Sequence, residues 1–421
     1  MPILCGSDLS AASAGVLEVA CALATMRKET EVILLHVADL DEDDADRDQQ
    51  LSDRRIKLDA QAAHAHFPGG RIRVELLVGK VEEALVDFSD TESVSMIVIA
   101  RASRGTGRVG TTATTIIAHT RVPVLCVHAP EPWLAFAKKE RPLRVLLGID
   151  DSSTCDLSMQ FAQGLRAEGP LDIILGGIYY PDDASKHYGV KADNIIDRLP
   201  EVEGLLARDL VRRFGGDPTH VAARPRRGLG RIGDHLLELA RDEKVDAIVV
   251  GTGQKTGLGR LGSVSTVIAL EAPQSVICVP PQANVPTITV PSVRATLVAT
   301  DLSQFANRAV SYAFSITPPD GTVHIVNVVD DDKELSAGEL AELERQLAAL
   351  APVNAAQTVL AHVVRGDDAA DALAQAAARN GVDVICISSR GRSGITRAIV
   401  GSVADRLLRA TRLPVLVLRP S

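Results

Sequence analysis

Ile3-Leu4-Cys5-Gly6-Ser7-Asp8-Leu9-Ser10 is a short apolar run that ends in an acidic residue and a small polar one. The pattern returns as Val145-Leu146-Leu147-Gly148-Ile149-Asp150-Asp151-Ser152 and as Leu297-Val298-Ala299-Thr300-Asp301-Leu302-Ser303. Asp8 and Asp150 stand 142 residues apart, and Asp150 and Asp301 stand 151 apart. Recurrence at this spacing marks three copies of one domain, each opening with a strand that leads into a helix.

The copies also close alike. A second apolar strand reads Met96-Ile97-Val98-Ile99-Ala100, Ala247-Ile248-Val249-Val250-Gly251 and Val384-Ile385-Cys386-Ile387-Ser388. A loop, a Gly-Thr or Gly-Ser pair and a helix follow. The last strands are Pro123-Val124-Leu125-Cys126-Val127, Gln274-Ser275-Val276-Ile277-Cys278-Val279 and Pro414-Val415-Leu416-Val417-Leu418. Middle strands such as Thr322 to Val329 and Thr358 to Val364 alternate with helical stretches such as Ala369 to Asn380, whose Ala/Leu content favours helix. Alternation of this kind calls for right-handed crossovers and a parallel sheet covered on both faces. The expected fold class is therefore α/β, with three tandem five-stranded, parallel, doubly wound (Rossmann-like) domains over residues 1–130, 143–281 and 294–421. The linkers run from Pro130 to Arg141 and from Pro281 to about Val293. Trp133, the only tryptophan, lies in the first and reads equally as a docking residue or a loosely held linker aromatic.

Composition agrees. Hydrophobic residues make up 46% of the 421-residue chain but aromatics only 3%, the Val/Ile/Leu/Ala stock of buried parallel strands. A net charge of −9 argues against a broad nucleic-acid footprint, which needs a basic face. No run approaches the length of a membrane span, and the N-terminus enters a strand without a leader pattern, so the expectation is a cytoplasmic protein with neither membrane nor nucleic-acid partner. Of six cysteines, four sit inside apolar strands, where the thiol acts as a small buried hydrophobe, and no structural metal is expected.

In an open α/β sheet, ligands bind outside the carboxyl ends of the strands, where strand order reverses. The first strands end at Asp8, Asp150 and Asp301, and the fourth at Ala100, Gly251 and Ser388. Each crevice would set an acidic residue before a loop and a helix N-terminus, whose free N–H groups suit phosphate. The rival reading is that each Asp only caps the helix that follows it.

The strand-Asp-Leu-Ser opening and the closing Gly401-Ser402-Val403-Ala404-Asp405-Arg406-Leu407-Leu408 resemble the universal stress protein family. Its nucleotide-binding members carry Gly-x2-Gly-x9-Gly-Ser/Thr after strand four. The third copy reads Ser388-Ser389-Arg390-Gly391, nine residues, then Gly401-Ser402, so only the first Gly is replaced. The resemblance implies an adenine-nucleotide alpha-hydrolase-like fold and binding of ATP or AMP, with Mg where ATP is bound. Asp301 would hold the ribose, the backbone of Val328 the adenine, and Gly391, Gly401, Ser402 and Val403 the phosphates, with Ser388 and Arg390 alongside. The second copy departs from the pattern. Gly251-Thr252-Gly253-Gln254 is followed by only seven residues before Gly262-Ser263, leaving Asp150, Ile178, Gly251, Gly262 and Ser263 as a weaker site. The first copy, with Ala100-Arg101-Ala102-Ser103 and a shorter loop to Gly110-Thr111, keeps Asp8 and Val37 but lacks the glycines that let backbone approach phosphate. Ligand chemistry is thus expected in the third copy, with the first two nearer to scaffold.

Gly228-Leu229-Gly230-Arg231-Ile232-Gly233 has the letters of a dinucleotide loop but follows a third strand instead of a first, so it reads as a solvated basic turn ahead of a local anion site at Arg226, Arg227 and Arg231. His36 and His324 lie within second strands and read as packing residues. No catalytic constellation appears, so the chain is expected to be no enzyme beyond slow hydrolysis of bound ATP. The two functions left are a nucleotide-dependent stress-signalling module and an interaction scaffold with decayed sites. The resemblance also implies pairing through last strands. Two of three copies can pair within the chain, and the odd edge calls for a homodimer or higher even oligomer.

Overall fold

The computed structural model describes residues 1–40, 46–100, 111–150, 153–190, 199–253, 263–281, 283, 293–389 and 402–418. The first repeat runs β1 (Ile3–Gly6), α1 (Ala11–Met26), β2 (Glu31–Ala38), α2 (Arg47–His64), β3 (Arg71–Val78), α3 (Val81–Thr91), β4 (Met96–Ala100), α4 (Thr111–His119) and β5 (Val124–Val127). The first linker folds as helix α5 (Glu131–Ala137). The second repeat runs β6 (Leu143–Ile149), α6 (Ser153–Glu168), β7 (Leu171–Tyr179), α7 (Pro181–Tyr188), α8 (Pro200–Phe214), β8 (Val221–Arg227), α9 (Ile232–Asp242), β9 (Ala247–Gly251), α10 (Ser263–Glu271) and β10 (Ser275–Val279). The third runs β11 (Ala295–Ala299), α11 (Gln304–Ile316), β12 (Thr322–Val329), α12 (Ala337–Ala348), β13 (Thr358–Arg365), α13 (Ala369–Asn380), β14 (Val384–Ser388), α14 (Ser402–Ala410) and β15 (Val415–Leu418).

Every repeat orders its strands 3-2-1-4-5, so the chain winds outward from the first strand in one direction and then in the other. The doubly wound α/β fold is as expected, but the five-strand sets are not all separate sheets. β5 and β10 pair antiparallel, with Val276 opposite Cys126, Ile277 opposite Leu125 and Cys278 opposite Val124. The first two repeats therefore share one ten-stranded mixed sheet, while the third keeps a five-stranded parallel one. An unpaired edge strand exposes a row of N–H and C=O groups, and joining two edges satisfies both.

The apolar core crosses that seam without a break: Val124 and Cys126 pack in the same cluster as Val276 and Cys278. Helix α5 lies over α1 with Trp133 and Phe136 fully buried. Trp133 is thus a docking residue, and its linker is a packed helix.

The repeats are units of sequence and topology, whereas compactness divides the chain into two bodies. One holds Met1–Ile178 and Leu210–Thr289, the other Tyr179–Asp209 and Val290–Ser421. The second repeat lends the second body α7 and the start of α8. Tyr179, Ala184, Tyr188, Val190 and Val202 pack there with Ala378 of α13, and Arg208 donates to the carbonyls of Ala378 and Arg379.

Candidate functional site

In the third repeat, β11 lies between β12 and β14, and strand order reverses between β11 and β14. Their carboxyl ends bring together Asp301 after β11, Val328 near the end of β12 and Ser388 at the end of β14. Asp301, Val328 and Ser388 are all half-buried. Ser402 and Val403 open α14, whose axis brings their backbone N–H groups to the helix N-terminus. Arg390, Gly391 and Gly401, the rest of the expected phosphate loop, lie outside the described residues.

Local hydrogen bonds shape the turn at Asp301. Ser303 N donates to Asp301 Oδ1 at 3.0 Å, and Leu302 N donates to Thr300 Oγ1, also at 3.0 Å. Leu302 sits at φ +64°, unusual for a side chain of its size, so the two bonds hold a strained bend at the mouth of the crevice. Ser303 then caps α11 by accepting from Ala306 N at 3.3 Å. Beneath the turn, Asn327 Nδ2 donates 2.8 Å to the carbonyl of Thr300 and fixes the end of β11.

The first repeat repeats this turn. Leu9 takes φ +63°, Ser10 N donates to Asp8 Oδ1 at 3.0 Å, and Leu9 N donates to Ser7 Oγ at 3.0 Å. His36 stands where Asn327 does: its Nδ1–H donates 2.8 Å to the carbonyl of Ser7. Arg54 Nη1 faces His36 Nε2 at 3.4 Å, which leaves that nitrogen as the acceptor and the ring neutral. Burial pushes the His36 pKa down, and Arg54 adds to the effect against the pull of the Ser7 carbonyl. His36 is a strut. The Asp8 carboxyl is further engaged by the Ser13 hydroxyl. Burial disfavours its charge, but the bonds from Ser10 and Ser13 outweigh that and hold it below the usual carboxylate range. Val37, at the adenine position, is buried in the core.

The second repeat differs again. Asp150 is exposed, and its carbonyl accepts from Arg213 of α8, which also pairs with Asp156 at 2.9 Å. Ile178 is half-buried, like Val328. A Cβ on Gly251 would stand 2.6 Å from the carbonyl oxygen of Thr154, so α6 presses on the end of β9 where Ser388 carries a side chain in the third repeat. Gly262 and the side chain of Ser263 lie outside the described residues.

The sequence pattern of the universal stress protein family matches residues 1–128, 143–280 and 293–419. The chain belongs to the universal stress protein family. Among solved structures it is similar to a universal stress protein from Archaeoglobus fulgidus, at 18% identity over 66% of this chain and 97% of that one, with a TM-score of 0.45. It is also similar to a putative universal stress protein from Pseudomonas aeruginosa, at 13% identity over 67% of this chain and 93% of that one, TM-score 0.46. A universal stress protein solved in complex with cAMP aligns at 22% identity over 31% of this chain and 99% of that one, TM-score 0.27. No curated protein matches the chain.

Several residues of this universal stress protein fall outside its crevices. Arg226 pairs with Asp242 at 2.9 Å and Glu238 at 3.1 Å, and Arg231 pairs with Asp234 at 2.8 Å. Arg226 and Arg231 of the turn around Gly228 thus already meet carboxylates, which favours its reading as a solvated turn. All six thiols are buried, with burial pushing Cys21 and Cys386 up to about 12 and Cys155 to about 11. Among the described residues no three His, Cys, Asp or Glu side chains form a metal-holding group, and no helix is long and apolar enough to cross a membrane. Sequence reasoning took His36 as a packing residue, in keeping with its place as a strut, but missed Asn327 and Arg213 as groups that hold the ends of the first strands. Asn327 and His36 were legible as the residues just before Val328 and Val37; Arg213, far off on α8, gave no signal.

Proposed function

We propose that this universal stress protein binds ATP or AMP, ATP with Mg, in the crevice of its third repeat and passes the bound state on as a change in its protein interactions. The observation that supports the reading is the meeting of Asp301, Val328 and Ser388 at the reversal of strand order, with Ser402 and Val403 at the head of α14. A carboxylate there suits ribose hydroxyls, and a helix N-terminus suits phosphate. The protein acts by binding, with at most slow hydrolysis of ATP, in the cytoplasm, and as an even-numbered assembly closed by the last strand of the third repeat.

A scaffold role suits the first repeat better. Among the described residues, the Asp8 carboxyl is engaged by its own turn and Val37 is buried, which supports that reading.

The test is mass spectrometry of small molecules released from purified protein, with melting curves in ATP and in AMP. Asp301→Asn is the informative variant, because an amide oxygen still accepts from Ser303 N while the charge is removed. Nucleotide in the sample and a melting shift that Asp301→Asn reduces and Asp150→Asn leaves in place are expected. Protein that is folded, empty and unshifted by either nucleotide would sink the proposal.

A further inference from the structure

We infer that the outer face of α11 is a helical layer in an interface between two copies of this chain, with Tyr312 and Ile316 at its centre. The inference rests on the assembly reading above and is independent of the nucleotide.

The seam between the first two repeats shows how such an edge closes. Val124 pairs with Ile97, Val276 with Ile248 and Val415 with Ile385, so these three valines occupy one position of the repeat. In that common frame the antiparallel register is symmetric. Leu125 faces Ile277, its own equivalent, and the flanking positions exchange. An edge that meets its equivalent symmetrically can meet a second copy of itself about a two-fold axis, here through Leu416. All four residues of β15 are half-exposed, whereas β5 and β10 are buried throughout.

The helices beside the seam extend the argument beyond the strand. Gly15, Val19, Leu23 and Met26 form one stripe of α1 at helical spacing. At one end, a Cβ on Gly15 would lie 3.0 Å from Pro130, just before α5; at the other, Met26 and Phe136 converge on Gly169, just after α6. Arg27 pairs with Glu168 there at 3.0 Å, tying the ends of α1 and α6 together. Val19 and Leu23, inside this contact, are 0% and 1% exposed, and their equivalents in α6, Phe161 and Leu165, are also buried.

Counting from the matching caps Ser10 and Ser303, Val19 corresponds to Tyr312 and Leu23 to Ile316. These are 52% and 37% exposed, and Phe305, two turns before Tyr312 on the same face, is 44% exposed. Across the sheet, Leu408 of α14 is exposed where its equivalent on α4, Ile117, is buried. Tyr312, Ile316 and Leu408 are thus open on both sides of β15 at positions that the first repeat buries. The covering mass there is a sister repeat and the helix joining it, met through a self-complementary edge, so the occupant is a second copy. The same two-fold operation brings the ends of two α11 helices together, as the ends of α1 and α6 meet, and sets Ile316 near its symmetry mate.

The experiment is light scattering of the full chain over a concentration series, with sulfhydryl cross-linking beside it. Because every native cysteine is buried, Ile316→Cys adds the one accessible thiol among the described residues. Mild oxidation is expected to yield a disulfide-linked dimer from Ile316→Cys and none from Ile56→Cys, an exposed position on α2. Tyr312→Lys with Ile316→Lys changes only exposed side chains and is expected to weaken dimerisation at least tenfold while leaving circular dichroism unchanged. A dimer of unaltered affinity in that double variant, with no cross-link at position 316, overturns the helical layer and leaves the assembly reading standing. A monomer at every concentration overturns both.

Discussion

Trp133 donates from its indole Nε1 to Ser275 Oγ at 3.2 Å, joining the linker helix to the last strand of the second repeat. The same oxygen accepts from His128 N at 3.1 Å, so one hydroxyl serves two donors at the seam between β5 and β10. The large apolar ring fills the space under α1, and its polar atom has a partner, which is what lets a tryptophan be fully buried. Removing the ring leaves a cavity and takes away one of the two donors to the Ser275 hydroxyl. Trp133→Ala is expected to destabilise the first body by about 3–5 kcal/mol. Ser275→Ala, which strands the buried indole N–H and frees the part-buried His128 N–H but keeps the packing, should cost about 1–3 kcal/mol. Urea unfolding followed by circular dichroism measures both, and equal losses would show that the ring's packing contributes little.

Gly251 supplies a steric prediction. A Cβ there would press on the carbonyl oxygen of Thr154, a backbone atom that cannot swing aside. Gly251→Ala should therefore lower the melting temperature, at a cost of about 1–3 kcal/mol typical of overpacking. Ala100→Gly and Ser388→Gly, at the matching ends of β4 and β14, carry no such clash and should show much smaller changes. A neutral Gly251→Ala would mean that α6 yields at its first turn.

The fold was legible because hydrophobic runs of strand length, each bounded by Asp or Gly, recur three times, and parallel strands buried on both faces cannot hide that pattern. The merged sheet was expected from the resemblance, which implies last-strand pairing of two copies within the chain, but not from the strands themselves. Val124 to Val127 and Ser275 to Val279 read as edges needing partners, but no residue in them names the partner strand. Asp301, Val328 and Ser388 meet as expected because each ends a strand, and strand order then fixes their proximity. Arg213 was out of reach, since its contact with Asp150 depends on how α8 packs, more than sixty residues along the chain. The pairing of Arg226 and Arg231 was out of reach for a similar reason. Their carboxylate partners lie on α9 and are invisible in a reading of the basic turn alone.

Helix α9 ends with Lys244 at φ +50°, an exposed side chain in the left-handed region just after the helix C-cap. Glycine accepts this conformation without the penalty that a Cβ brings. Lys244→Gly removes no buried contact and is expected to raise stability by up to about 1 kcal/mol, the relief of strain exceeding the added freedom of the unfolded chain. The matching test inside the helix, Leu237→Gly, should do the opposite by a larger margin. Thermal melts of the two variants separate a backbone effect from a general tolerance of glycine.

The third repeat should lose stability as the solution turns acid. His324 on β12 and His362 on β13 stack with ring centroids 5.3 Å apart and planes 16° from parallel, and His324 Nδ1 lies 3.1 Å from His362 Nε2. One ring donates and the other accepts, an arrangement that requires both to be neutral or one proton to be shared. Burial pushes His324 down to about 4, with His362 adding to it, and burial also lowers His362 against the pull of Glu344 on α12. A histidine whose folded pKa lies below its unfolded value of about 6.5 takes up protons on unfolding. Its contribution is complete above pH 6.5 and is lost as pH falls through the window toward about 4. Urea midpoints of the second body should therefore fall between pH 7 and pH 5, more steeply than in His324→Leu, where the titrating pair is gone. Parallel pH profiles in the variant and the parent would assign the acid sensitivity to other groups.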